Sequence, residues 1–262
     1  MKWFLKKVFT ILSVYYADML EYRAEIFLWV LSGSLPIILM GVWVEAAQGG
    51  KFVLSATEFA RYFFAVFQIR QFTNVWVIWD FEQEVIEGKL SFKLLQPFDP
   101  VWHHIARHIA EKFTRLPLSI FLTFLFFALY PQAFWIPNIL NIFLCLMTIV
   151  MAFTLRFLIQ YTFAMGAFWT ERAAAIQQFW LLFDIFLSGV AAPLDVFPST
   201  VRDIVMWTPF PYTVYFPVAL LLDFPVNIIN GFLIMLGWIS IFAILNRWLW
   251  KLGLKQYSGM GA

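Results

Sequence analysis

The chain has little charge, few histidines and almost no cysteine. Of its 262 residues, 13% are charged, three are His and one, Cys145, is Cys. An ordinary globular domain carries roughly a quarter charged residues, and a single cysteine excludes an internal disulfide. Three histidines cannot supply the multiple histidine clusters of membrane di-iron enzymes. The net charge of +2 provides no basic field that would favour nucleic acid as a partner.

Motifs for nucleotide binding and covalent catalysis are also missing. The sequence contains no G-x-x-x-x-G-K-[ST] phosphate loop and no G-x-S-x-G nucleophile elbow. Cys145 lies in an apolar run without a polar neighbour that could activate its thiol. We therefore expect this chain to have no catalytic activity by itself and to bind no cofactor or metal.

Apolar residues dominate the composition. The chain is 62% hydrophobic and 21% aromatic, with a mean hydropathy of +0.78, which predicts an all-α integral membrane protein with a single transmembrane domain over residues 1–262. Stretches near the roughly 20 residues that a bilayer requires predict six spanning helices. Their predicted bounds are about 26–44, 59–79, 113–130, 139–168, 173–192 and 226–245.

Two of these spans have features of their own. Gly33 and Pro36 lie within the first span and favour a bend there. The third span is short in apolar residues, so the charged stretch that begins at His103 is predicted to be the start of one longer helix.

Residues 1–22 begin with basic residues before an apolar run, which a signal peptide also does. However, Asp18, Glu21 and Glu25 come after this run, and no small-residue cleavage site is present. Polar residues recur every three or four positions and form one narrow stripe. This pattern predicts a retained amphipathic helix that lies in the membrane interface.

Residues 80–100, DFEQEVIEGKLSFKLLQPFDP, are polar between long apolar runs. Four carboxylates come first, then Gly88, then Leu and Phe alternating with Lys and Ser, and then Pro97 and Pro100. Glutamates favour a helix start, glycine breaks or caps the helix, and proline ends a second short one. The order predicts a short amphipathic helix, a glycine hinge and a compact surface for a soluble partner.

Residues 193–225 carry six prolines in an otherwise apolar stretch. Proline at this density is incompatible with one regular helix. We expect short broken helices that re-enter or lie on the membrane, where protein or water covers their backbone.

The distribution of basic residues predicts the orientation. Of 18 Lys and Arg, thirteen lie on the side that holds the N-terminus, residues 80–100, the turn near 171 and the C-terminal tail. Three lie on the other side, and Arg70 and Arg156 lie within spans. The positive-inside rule then places both termini and residues 80–100 in the cytoplasm, and residues 193–225 outside.

Two charges fall near the middle of predicted spans. Arg70 lies in the second span and Asp184 in the fifth, and such charges face a protein interior or a water-filled cavity. The hypothesis is that they pair, within one chain or across a dimer, either beside a translocation pathway or as a purely structural ion pair. The residues predicted to line part of the pathway are Gln68, Gln71 and Asn74. Arg156 is predicted to extend toward the interface.

One constellation offers an alternative function. His104, His108 and Glu111 have helical spacing and share one helix face, which could present ligands to a metal. Polar residues on a cytoplasmic helix extension explain the same pattern without a metal. A membrane-embedded lipid-modifying enzyme and a non-transporting scaffold stay open as alternatives.

Two stretches carry a family resemblance. IEGKLSFKLLQPFDP at 86–100 is similar to the block after the second span of ABC-2 type permeases, in the branch of six-span bacterial export permeases. SGVAAPLDVFPSTVRDIVMWTPFPYTVYFPV at 188–218 is similar to that family's Gly, Pro and Phe-Pro pattern after the fifth span. The resemblance covers essentially the whole chain.

The resemblance implies a permease of the bacterial inner membrane, with export as its direction, that pairs with an identical or sister permease and docks on two cytoplasmic ATP-binding subunits. ATP is then used by those partners. The family's coupling helix matches the segment from Glu84 to Pro97. In it Leu90, Leu94 and Leu95 would make the apolar contact with the ATPase, Glu84 and Glu87 the polar rim, and Gly88 would set the angle.

Overall fold

The computed structural model describes residues 2–50, 52–170 and 172–257, and every regular element in these ranges is a helix. The α-helices are α1 Lys2–Glu21, α2 Arg23–Ser32, α3 Leu35–Ala47, α4 Ala56–Thr73, α5 Val77–Ile86, α6 Leu90–Leu94, α7 Val101–Leu129, α8 Ile139–Ala164, α9 Ala174–Leu187, α10 Ser199–Val205, α11 Tyr215–Leu221 and α12 Ile228–Gln256. Short 3₁₀ helices lie at Pro131–Ala133, Met165–Phe168, Leu194–Val196 and Pro211–Thr213.

Helix α8 lies at the centre of the fold. It packs against α4, α5, α9, α11 and α12, and side chains along its length contribute to all three of the hydrophobic clusters. Its small and polar residues Ala152 and Thr148 are completely buried. Small residues allow close approach of helices in a membrane, so α8 provides the axis around which the other helices assemble.

Four helices in the described part of the chain are long and apolar enough to cross a membrane. They are Ala24–Ala47, Val101–Leu129, Ile139–Phe168 and Ile228–Gln256. The first of these is interrupted at Gly33, where α2 ends and α3 begins. The all-helical membrane architecture is confirmed, while the count of six spans stays a prediction.

Helix α4, within the predicted second span, is buried rather than strongly apolar. It begins with a capping box in which Ser55 N–H donates to Glu58 Oε2 at 2.7 Å and Glu58 N–H donates to Ser55 Oγ at 3.3 Å. Eleven of its 18 residues are buried and the others are partly buried, so α4 needs little lipid compatibility. Within the predicted span 59–79 the helix is broken, because α4 ends at Thr73 and α5 begins at Val77, and the span itself stays a prediction.

Helix α7 confirms the prediction that the third span belongs to a longer helix. It runs unbroken from Val101 to Leu129, with Pro117 inside it, and therefore includes the charged stretch that begins at His103. Helix α1 packs against α7, and Tyr15 Oη lies 3.0 Å from His103 Nδ1. Residues 1–22 are helical from Lys2, and Met1 lies outside the described residues.

The proline-rich stretch 193–225 forms short helices, as expected. Residues 210–220 are buried as a continuous run. At its entrance Gly189 has a φ of 91°, which favours glycine, and Tyr62 Oη donates to the Gly189 carbonyl at 2.7 Å. Tyr215 N–H donates to the Ser188 carbonyl at 2.9 Å. The irregular backbone is therefore covered by protein, as membrane-buried backbone requires.

Two glycines on α12 test how α11 packs against that helix. A β-carbon at Gly231 would overlap the ring of Phe216, which is completely buried, whereas one at Gly237 on the same helix meets nothing within 4 Å. We expect Gly231→Ala to lower the free energy of unfolding by about 1–3 kcal/mol through overpacking. Gly237→Ala should be neutral or stabilising by up to about 1 kcal/mol. Unfolding in mixed micelles compares the two, and equal effects would contradict the packing of α11 on α12.

Candidate functional site

The break between α4 and α5 at residues 74–76 is the centre of a buried polar network. Ending a helix inside a membrane protein frees backbone groups that need new partners. The Trp76 N–H donates to His108 Nε2 at 2.9 Å, and Lys112 Nζ donates to the Asn74 carbonyl. The Asn74 side chain accepts from Arg156 Nη1 at 3.0 Å. Side chains of α7 thus replace missing helical hydrogen bonds, and Arg156 of α8 holds the side chain of Asn74.

A second set of contacts extends the network along α7. Glu111 accepts from Trp76 Nε1 at 3.0 and 3.1 Å and forms an ion pair with Arg115. Arg115 also donates to Gln71 Oε1 at 3.0 Å and lies over the Trp76 ring. Glu111 and Arg115 are both buried. Because they pair with each other, their charges are compensated inside the protein.

The helix face that offered the alternative metal-binding interpretation is occupied by these contacts. His108 accepts at Nε2 from Trp76, its Nδ1 lies 3.0 Å from the His104 carbonyl, and Glu111 is paired with Arg115. In the described part of the chain, no group of three or more His, Cys, Asp or Glu is placed to hold a metal ion. His108 and Glu111 on this face accept hydrogen bonds from Trp76 and so stabilise the helix break.

Asp184 does form a buried ion pair, but within this chain its partner is Arg156 rather than the predicted Arg70. Arg156 Nη2 lies 3.1 Å from both Asp184 carboxylate oxygens and donates to Thr213 Oγ1 at 2.9 Å. Both charged side chains are buried. The prediction that Arg156 extends to the interface is therefore wrong, and this residue joins α8, α9 and the proline-rich stretch 193–225.

Arg70 lines a cavity together with Arg156 and Asp184, but it forms no comparable ion pair with a described residue. Its Nε and Nη1 atoms are buried and have no hydrogen-bond partner among the described residues. The cavity has a volume of about 230 Å³, and Arg70, Gln71, Asn74, Arg156 and Asp184 all line it. Of the residues predicted to line a pathway, Gln71 and Asn74 reach this cavity.

Gln68, the remaining residue predicted for the pathway, has a different environment. Its side chain donates to Thr123 Oγ1 at 2.9 Å and to the Ser119 carbonyl at 3.1 Å. It therefore joins α4 to α7 and does not line the cavity.

The predicted coupling segment has a buried base and an exposed apolar surface. Helices α5 and α6 are joined at Gly88, whose φ of 71° favours glycine. Leu90, predicted to contact a partner, is instead completely buried in the core. Leu95 is 84% exposed and Leu94 36% exposed. Phe92, which the sequence analysis did not select, is 73% exposed.

The glutamates of this segment differ in their surroundings. Glu84, predicted for an outer rim, is largely buried and accepts from Lys93 Nζ at 2.5 Å, with His104 Nε2 3.4 Å away. Burial raises the pKa of Glu84, but the nearby imidazole and ammonium outweigh it, so that the pKa lies below its usual value. Glu87 pairs with exposed Lys89, and that contact lowers the pKa of Glu87.

Pro97 and Asp80 lie near the two ends of the predicted segment 80–100. Pro97 comes after α6 in the turn before α7. The carboxyl group of Asp80, on α5, is ion-paired with Arg107 at 3.2 Å. Partial burial nevertheless raises the pKa of Asp80 above its usual value. The segment is thus fixed to the first turns of α7 by ionic contacts.

Membrane-length helices and a buried ionic network define a multi-pass membrane protein. A sequence model described as ABC-2 family transporter protein matches residues 51–261. The chain belongs to the ABC-2 transporter family, and is therefore a permease component of an ABC transporter. No curated protein matches the chain.

The Arg156–Asp184 pair leads to a prediction. Arg156→Met leaves Asp184 as an uncompensated buried charge and should lower the free energy of unfolding by about 3–5 kcal/mol. Adding Asp184→Leu should recover most of that loss, because no charge then stays unpaired. Unfolding by SDS titration in mixed micelles measures both variants.

Arg247→Met is the matched control. Arg247 is 54% exposed and pairs with Asp99 at 2.5 Å, so its loss should cost less than about 1 kcal/mol. An equally small loss for Arg156→Met would contradict the assignment and indicate that Arg70, in the same cavity, can replace Arg156 as the partner of Asp184.

Proposed function

We propose that this chain is the permease of an exporter driven by two separate cytoplasmic ABC ATPases, and that it acts as a dimer with an identical or sister permease. The observation that supports ATPase docking best is the surface formed by Phe92, Leu94 and Leu95, which we call the coupling surface. Phe92 and Leu95 expose most of their apolar area beside charged residues. An exposed apolar cluster with a polar rim is typical of a protein interface.

The support beneath the coupling surface favours transmission of force. Leu90, Phe81 and Val85 are buried in one cluster with residues of α8 and α12. Because a packed interior deforms little, a push on the coupling surface moves α5 as a body. The other end of α5 lies at the break, where Asn74 and Trp76 bind Lys112, Arg156 and His108.

The break connects the coupling surface to the cavity. Helix α5 has ten residues, or about 15 Å at 1.5 Å per residue. Asn74 both binds Arg156 and lines the cavity. The predicted orientation places the protein in a bacterial inner membrane with both termini in the cytoplasm. Movement of α5 would then shift the part of the cavity wall that is nearest the ATPase. We place the translocation pathway beside Arg70 and Asp184 on this basis.

The enzyme alternative has less support. A lipid-modifying site needs convergent carboxylates or histidines with free lone pairs or protons, and His108 and Glu111 are used by the helix break. The ABC-2 match favours a non-catalytic membrane subunit. The scaffold alternative provides no reason to retain Arg70, whose buried guanidinium caps no backbone group at the break, because such a charge is costly in a membrane.

Co-purification tests the docking proposal. Purified in mild detergent from cells that produce it naturally, the chain should bring down an ATPase with a phosphate-loop motif. The double variant Phe92→Glu and Leu95→Glu adds two charges to the apolar contact, and it should reduce the recovered ATPase at least tenfold. Its melting temperature should stay within a few degrees of the wild type, because both side chains are exposed.

Val53→Glu is the matched control, since Val53 is 89% exposed in the loop that precedes α4, on the predicted opposite side of the membrane. It should leave ATPase recovery unchanged. Undiminished recovery with the double variant would show that residues 80–100 are not the docking site. Leu90→Glu is unsuitable for this purpose because it places a charge in the core.

A further inference from the structure

The cavity at the helix break has an excess of positive charge. Arg70 and Arg156 line it, and Asp184 is the carboxylate among its lining residues. Asp184 is bound by Arg156 and Thr213. Arg70 forms no such ion pair with a described residue, and two of its guanidinium nitrogens are buried without a hydrogen-bond partner in the described part of the chain. A guanidinium presents planar donors that match carboxylate and phosphate groups.

Other polar atoms of the cavity are also available. The Nε atom of Arg156 is buried and unpaired, as are the amide oxygens of Gln160 and Gln177. A side-chain amide offers a donor and an acceptor at the same end. Water in the cavity could accept the hydrogen bonds of Arg70, but it brings no negative charge. An anion satisfies both the donors and the charge.

The rest of the cavity wall is aromatic and apolar. Trp29, Trp76, Trp79 and Trp180 line it together with Leu181. Trp29 is 52% exposed and Trp79 43% exposed, so these rings form the edge where the cavity reaches the protein surface. The volume of about 230 Å³ is below the roughly 300–1,000 Å³ of pockets that enclose a drug-sized ligand. The cavity fits a head group, while an apolar body continues outward past the tryptophans.

We propose that this cavity binds the anionic head group, phosphate or carboxylate, of an amphipathic substrate through Arg70, with the apolar body of that substrate leaving between Trp29 and Trp79. The inference rests on the proposed permease function, because only a permease makes the bound amphiphile its cargo. Under the predicted orientation the cavity lies in the cytoplasmic half of the membrane, where such a molecule would enter from the inner leaflet.

The test uses the full chain with its co-purified ATPase in phosphatidylcholine nanodiscs. n-Dodecyl phosphate is the amphipathic anion, dodecylphosphocholine provides the same tail with a zwitterionic head, and inorganic phosphate provides the free anion. Thermal stabilisation at increasing concentrations measures binding, because a ligand that binds the folded state raises its stability by mass action. ATP hydrolysis is recorded in parallel.

Arg70→Gln is the informative variant. It removes an unpaired buried charge, so without ligand it should unfold at the same temperature as the wild type or higher. With dodecyl phosphate it should bind at least tenfold more weakly than the wild type. Arg202→Gln is the control, because Arg202 lies 41% exposed on α10, near Asp195, away from the cavity lining. This control should bind dodecyl phosphate as the wild type does.

The outcomes separate the parts of the proposal. Saturable stabilisation by dodecyl phosphate, together with stimulated ATP hydrolysis and loss of both in Arg70→Gln, supports it. Equal binding of the zwitterionic analogue, or undiminished binding by Arg70→Gln, overturns recognition of an anion by Arg70. Equal binding of inorganic phosphate overturns the amphipathic substrate. Binding that leaves ATP hydrolysis unchanged overturns the assignment as cargo. Absence of any ATPase with anion binding intact instead overturns the proposed function as an ATPase-driven exporter and leaves the anion site standing.

Discussion

The structure depends on how it satisfies the backbone of a helix that stops inside a membrane protein. The Trp76 N–H donates to His108, and the Asn74 carbonyl accepts from Lys112, both on α7. The Asn74 side chain accepts from Arg156 on α8. An unsatisfied polar group in hydrocarbon costs several kcal/mol. The break therefore persists only while α7 and α8 stay in register with it, and it fixes the relative positions of three central elements.

This constraint also explains why charge is concentrated in one place. Lys112 and Arg156 are needed at the break, and each needs a nearby carboxylate, which Glu111 and Asp184 provide. Ionic groups in a membrane are costly unless paired. Arg70 meets none of these requirements, because it neither caps the break nor pairs with Asp184 within the chain. Arg70 is therefore the residue on which the proposed anion site depends, while the other charges have a structural explanation.

Features governed by local sequence were predictable. The helix, Gly88 turn and second short helix of residues 80–100 result from propensity and from glycine's tolerance of positive φ. Prolines equally predict the short helices of residues 193–225. The break at 74–76 was missed because it contains neither proline nor glycine. Tertiary partners, and not propensity, stabilise it, so no signal in that stretch alone could reveal it.

The choice between Arg70 and Arg156 as the partner of Asp184 shows the same limit. Sequence gives each residue's depth along its own helix, but pairing depends on rotation and on how helices distant in sequence cross. Those quantities are set by packing around α8. Burial has a comparable effect on α4, whose charged and polar residues weaken its hydropathy although protein surrounds nearly all of it. Apolar composition therefore reports contact with lipid rather than burial, because α4 is buried although it is less apolar than α8 at the centre of the fold.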